Sequence, residues 1–170
     1  MSKTTFQNRI IGYDVKSADQ FQAHPLNWRK HPQKQRAAVN ASLRELGWVA
    51  AVIENVRTGN LIDGHERVWQ ALDKNEPVPY LKVDLSEEEE RLALATFDAI
   101  TGMAETDAAK LDELVREVNT GEAALQEMLA ELAVTAGLQA PDVEFKEYDE
   151  SVENDVEWHE CPSCGHKWPK

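Results

Sequence analysis

The sequence predicts an α+β fold: a small mixed sheet with packed helices, followed by a helical appendix and a short tail that carries both cysteines. Three observations predict it. Between residues 33 and 85 the apolar spacing switches in the order helix, strand, strand, helix, strand. From residue 86 to about 138 the spacing is helical, interrupted at glycines. The charge also divides: residues 1–84 carry 12 Lys and Arg against 9 Asp and Glu, whereas residues 85–170 carry 6 against 22.

Taken in order, residues 1–19 form an N-terminal extension in which Ile11, Tyr13 and Val15 alternate, the period of a short strand near 9–15. A domain over 20–101 follows. Pro32 suits a first-turn position, Val39, Leu43 and Leu46 fall at helical spacing, and Gly47 suits a C-cap, so a helix over 33–46 buries one apolar stripe. The β-branched run Trp48–Val56, the turn Arg57-Thr58-Gly59-Asn60 and then Leu61-Ile62 read as a hairpin. Val68, Trp69, Ala71 and Leu72 return to helical spacing before Pro77 and Pro79, and Val78–Leu85 has strand character. Trp28, Trp48 and Trp69 read as core or pocket-wall aromatics. Ser86-Glu87-Glu88-Glu89 has the form of a capping box opening a helix to about Ile100. Helices near 106–119 and 121–136 make up the appendix, 102–138. Residues 139–157 have too few apolar side chains to offset the entropy of ordering them, and read as an acidic linker.

The element with chemical content is Asp63-Gly64-His65-Glu66-Arg67. With a strand ending at Ile62 and a helix beginning near His65, the unpaired amides of the first helical turn point outward, and Arg67 adds a planar donor fork. Gly64 lets backbone approach a ligand. That combination is a phosphate site. The bland reading is a cap by Asp63, a turn glycine and an Arg67 paired to an acid on a solvated face.

Four blocks, Asn27-Trp28-Arg29-Lys30-His31-Pro32, Leu43-Arg44-Glu45-Leu46-Gly47-Trp48, Asp63–Arg67 and Val78–Leu85, resemble in order and spacing the ParB-like N-terminal domain of the ParB/sulfiredoxin superfamily. The version here is similar to ParB-like domains of phage and mobile-element proteins, where Asp-Gly-His-x-Arg is common. The resemblance implies that Gly64 and Arg67 bind phosphates, with Asn27, Arg29 and His31 on the opposing wall. Asp63, His65 and Glu66 then line the same cleft. It implies a nucleoside triphosphate ligand, CTP or ATP, with Mg, and work beside DNA or a DNA-processing protein. Sulfiredoxin chemistry needs a cysteine where this chain has His65, so that activity is excluded. Ala50-Ala51 replaces the Gln-Pro common after the Gly-hydrophobic pair, and no basic recognition helix follows, so a centromere-loading partitioning protein is not expected. Glu66 or Asp63 as general base or Mg ligand, with His65 as proton donor, makes a small nucleotide hydrolase, kinase or nuclease the second reading. A protein-interaction module with a vestigial nucleotide site is the third.

The remaining expectations concern the surroundings. No stretch approaches the roughly 20 apolar residues that span a bilayer, and the first residues lack a signal-peptide core, so no membrane and a cytoplasmic setting, in a bacterial or phage-infected cell, are expected. The acidic second half would repel a duplex, so any nucleic-acid contact belongs to the first half. Cys161-Pro162-Ser163-Cys164-Gly165 has the spacing of half a zinc ribbon. His159 and His166 complete a zinc site locally, or two chains share one ion as a homodimer.

Overall fold

The alternation at Ile11, Tyr13 and Val15 becomes strand β1 (Ile10–Ser17), an edge of a four-stranded sheet. The structure, a computed structural model, describes residues 6–138 and the backbone of two short strands at 158–160 and 167–169. The other strands of the sheet are β2 (Val52–Asn55), β3 (Leu61–Asp63) and β4 (Pro77–Val83), in the order β1-β4-β2-β3. β1 runs antiparallel to β4, β4 parallel to β2, and β2 antiparallel to β3. This is the small mixed sheet that the sequence predicts. One boundary is corrected: residues 10–17, assigned to an extension, pair along the whole of β4, with Tyr13 opposite Leu81. The expected domain start at residue 20 leaves the strand out because a half-exposed edge strand has only a weak apolar signal.

Helix α1 (Gln33–Leu46) begins after Pro32 and ends at Gly47, where φ is 71°, as expected. Its buried face differs from the predicted stripe. Ala38 and Ala41 are buried and Leu46 is exposed, because the small side chains let α1 approach its neighbours closely. Helix α2 (His65–Lys74) closes on Asn75 and buries Val68 and Ala71 against Val52, Leu61, Val78 and Tyr80 of the sheet. Trp48 packs against this core, whereas Trp28 and Trp69 are largely exposed; Trp28 lies under the Arg29 guanidinium and donates through Nε1 to the Leu94 carbonyl.

Helix α3 (Glu87–Thr101) opens on the predicted capping box, with Ser86 Oγ accepting from the Glu89 amide. Its fourth residue, Glu90, is buried and gathers donors from elsewhere in the chain. Asn60 Nδ2 donates to Oε1 at 2.9 Å, Thr58 Oγ1 to Oε2 at 2.5 Å, and Asn55 Nδ2 also reaches Oε2. His24 Nε2 lies 3.0 Å from Oε1. Burial pushes the Glu90 carboxyl up, but the Asn60, Thr58 and Asn55 hydrogen bonds and the His24 ring outweigh it and hold the group below the usual glutamate value. Asn55 also exchanges hydrogen bonds with both backbone groups of Leu85. The hairpin turn, the 24–29 segment and α3 thereby share one buried polar node.

Helices α4 (Ala108–Glu117) and α5 (Ala123–Thr135) fall where the appendix was expected. They do not stand apart, because residues 1–140 make one unit and α5 packs along α1. Lys34 bridges to Glu127 at 2.9 Å and to Glu131, while Arg44 pairs with Glu122, so α5 runs antiparallel to α1. As a separate unit, β5 (Trp158–Glu160) and β6 (Lys167–Pro169) pair antiparallel with each other. Residues 139–157, 161–166 and 170 lie outside the described residues, and with them the expected linker and Cys161, Cys164 and His166. The side chain of His159 is likewise outside the description.

Replacing Asn55 by Ala strands buried groups of Glu90 and Leu85. Urea denaturation is expected to show a loss of about 2 kcal/mol or more, whereas Ser86→Ala costs about 1 kcal/mol; a smaller loss for Asn55→Ala than for Ser86→Ala would contradict this ranking.

Candidate functional site

Five consecutive residues, Asp63 to Arg67, line one cavity of about 450 Å3, within the range of small-molecule sites. They are placed there by a single backbone feature. Gly64 adopts φ 89°, ψ 19°, a left-handed conformation, at the point where β3 becomes α2. A Cβ at this position would stand 2.8 Å from Val52 Cβ, inside the core wall. Steric crowding therefore requires glycine on the core side, not only on a ligand side as the sequence suggested. Left-handed entry also leaves α2 without a side-chain cap, and the first intrahelical bond runs from the Val68 amide to the Gly64 carbonyl. The amides of His65, Glu66 and Arg67 form an uncapped positive helix end at the cavity.

Arg67 does not reach outward but turns back on the chain. Its Nη2 contacts Asp63 Oδ2 at 2.7 Å and its Nη1 donates to the Ala50 carbonyl at 2.7 Å. Asp63 is thus a partner of Arg67 and not a helix cap. Arg29 also lines the cavity; its Nε pairs with Asp98 Oδ2 at 2.7 Å, while its Nη2 is buried without a partner. Glu66 is the mirror case. Oε1 accepts from Arg36 Nε at 3.1 Å and from Gln70 Nε2 at 2.6 Å, the side chain is 5% exposed, and Oε2 is buried with no partner. A buried donor and a buried acceptor without partners are costly, and both belong to residues of one cavity.

His65 is brought to the site. Its Nε2 accepts the backbone N–H of His24 at 3.2 Å. Burial lowers its pKa from 6.5 to about 4, against the pull of Asp63, with Arg29, His24 and His31 adding to the lowering. At neutral pH this shift leaves the ring neutral, with Nε2 held by the His24 amide. His31 lines the cavity with Nδ1 3.1 Å from Gln35 Oε1. Asn27 does not: its Oδ1 accepts from the Arg29 amide at 3.3 Å and shapes the turn that presents Arg29. Asp98, Leu125 and Met128, which the sequence reading missed, complete the lining from α3 and α5. No local signal marked them, because each arrives by tertiary packing. Among the described residues no cluster of three or more His, Cys, Asp or Glu could hold a metal ion, and no helix is long and apolar enough to cross a membrane.

Fold and site together define a mixed α/β domain with an uncapped helix N-terminus facing a part-polar cavity. No family model matches the chain, and a comparison with curated proteins returns no match. Among solved structures the chain is similar to the C2221 form of a Pnob8-like ParB-N domain, with 19% identity and a TM-score of 0.44, covering 93% of this chain and 56% of that one. It is similar to a C-terminally truncated chromosome-partitioning protein ParB from Caulobacter crescentus complexed with CTP-γ-S, with 19% identity and a TM-score of 0.47, covering 76% and 73%. A pNOB8-like ParB N-domain gives 18% identity and a TM-score of 0.46, covering 97% of this chain and 56% of that one. The chain thus spans little more than half the length of two of these three.

The lowered His65 pKa carries a sign. The unfolded chain binds this proton below pH 6.5, the folded chain only near pH 4, so stability is full above 6.5 and falls as pH drops toward 4, by on the order of 3 kcal/mol. Urea midpoints measured across that window should fall for wild type and fall less steeply for His65→Gln; parallel curves would refute the assignment.

Proposed function

We propose that this chain binds a nucleoside triphosphate, with the phosphates on the uncapped first turn of α2. The observation that carries the reading is the coincidence, in one cavity, of that turn with Arg29, whose Nη2 is buried without an acceptor. Phosphate oxygens supply what both lack. The arginines lining the cavity are internally balanced, Arg67 by Asp63 and Arg29 by Asp98. Phosphate entry would exchange Arg67 from Asp63 to the ligand; an Mg ion carried in by the triphosphate would be held by Asp63 or Glu66 and would offset the added negative charge. Gly64 and Arg67 are the phosphate residues, with Arg29 and His31 on the facing wall. The role follows from the resemblance of the Asp63–Arg67 turn to ParB-like domains of the phage and mobile-element type: nucleotide binding in the service of DNA-processing, partitioning or modification partners. Those partners are met as proteins more than as duplex, given the acidic second half.

The unpartnered Glu66 Oε2 favours a second reading, phosphate chemistry with Glu66 as general base. Calorimetry with CTP, ATP and GTP plus Mg, alongside a phosphate-release assay, separates the two. Wild type is expected to bind at least one nucleotide, and Arg67→Ala to bind it roughly tenfold to a hundredfold more weakly. Unchanged affinity in Arg67→Ala removes the proposed site. Phosphate release that disappears in Glu66→Gln with binding retained makes the chain an enzyme.

For the tail we infer a zinc ion held by Cys161 and Cys164, with His159 and His166 as the further ligands, supported by their spacing and by the antiparallel pairing of the strands that flank residues 161–166. Metal analysis should find zinc in wild type and a marked loss in Cys161→Ser; equal content in both refutes the Cys161 ligand.

A further inference from the structure

At about 450 Å3 the cavity is larger than a phosphate group needs, and part of its lining comes from α5 of the helical appendix. Leu125 and Met128 of α5 line it together with Val39 and Leu43 of α1. Their neighbours explain why α5 is held there. Glu122, Glu127 and Glu131 are engaged by Arg44 and Lys34 of α1, so the charged positions of α5 are spent on the helix pair and its apolar positions are left toward the cavity. The lining thus has two chemical parts. One holds the α2 amides, Arg29 and Arg67; the other holds aliphatic side chains and a thioether, with no cation or carboxylate lining it from either helix. A matching ligand has an anionic head and a flat, weakly polar body. Methionine suits such a body, because its polarizable sulfur adapts to an aromatic edge or face.

Resting on the phosphate reading above, we propose that Leu125 and Met128 form the nucleobase subsite, so that the helical appendix is part of the ligand-binding machinery. The α/β domain then supplies the phosphate contacts and the appendix supplies the contacts that distinguish a nucleotide from a bare polyphosphate. Because α5 reaches the cavity only through its packing on α1, the base is gripped between two helices.

The test uses the full chain and two probes, ATP or CTP with Mg and inorganic tripolyphosphate, titrated by calorimetry into wild type, Arg67→Ala, Met128→Ala and Leu125→Ala. Met128 is 39% exposed, so its truncation leaves folding intact. The expected pattern is a five- to thirty-fold loss, roughly, of nucleotide affinity in Met128→Ala and Leu125→Ala, with tripolyphosphate affinity within twofold of wild type. Arg67→Ala loses both probes. In methyl-labelled wild type, the Met128 signal should shift with nucleotide and stay with tripolyphosphate. Nucleotide affinity unchanged in both α5 variants, or an unmoved Met128 methyl at saturation, overturns the subsite while leaving the phosphate reading in place. Wild type that binds neither probe overturns both.

Discussion

Position 64 has no room for a side chain and a backbone angle that L residues rarely adopt. Both conditions come from the same packing: Val52, fully buried at the centre of the sheet, occupies the space that a Cβ would take. The chain leaves β3 in a left-handed conformation, and α2 starts without a capping side chain. An uncapped start costs helix stability, and packing of Val68 and Ala71 on the sheet offsets it. The position of the cavity, the direction of the free amides and the pairing of Arg67 with Asp63 all follow from this junction.

Around that junction lie two polar networks with different tasks. On one side, His65 accepts the His24 amide, and His24 in turn contacts Glu90, so the first residue of α2 is tied to α3 through buried groups. His24 Nδ1 accepts the Leu26 amide, which leaves the proton on Nε2 for Glu90. On the other side, Glu66 and Gln70 tie α2 to Arg36 and Asn40 of α1. The turn is clamped between α3 and α1, and ligand groups would meet a scaffold that needs little reorganisation apart from the Arg67 exchange. The same clamping holds the His65 ring between the His24 amide and the core. A ring fixed by a backbone donor and shielded from water is held neutral.

The sequence made the local devices legible. Pro32 and Gly47 bounded α1, Ser86 and Glu89 announced the start of α3, and the β-branched run with its Gly59-Asn60 turn marked the hairpin. Each is a signal within a few residues of its effect. What stayed hidden depends on distant partners. Glu90 is one of four consecutive glutamates, and only contact with Asn55, Thr58 and Asn60 distinguishes it from its exposed neighbours. Ala38 and Ala41 carry a weaker hydrophobic signal than Val39 and Leu43, yet they are the residues buried, because close approach matters more there than apolar area. The link between Lys34 and Glu131 spans 97 positions, so the appendix read as a separate element when it is a wall of the cavity. For the site, the turn 63–67 was legible as a strand-to-helix junction with an open helix end, while the placement of Asn27 and His65 around it required the fold.

Amide NMR of the full chain, titrated with a Mg nucleotide, tests residue by residue whether the first-turn amides of α2 hold the phosphates. With phosphates there, the resonances of His65, Glu66 and Arg67 should move furthest at saturation. Saturable binding that leaves these three amides in place and perturbs another surface would contradict that placement.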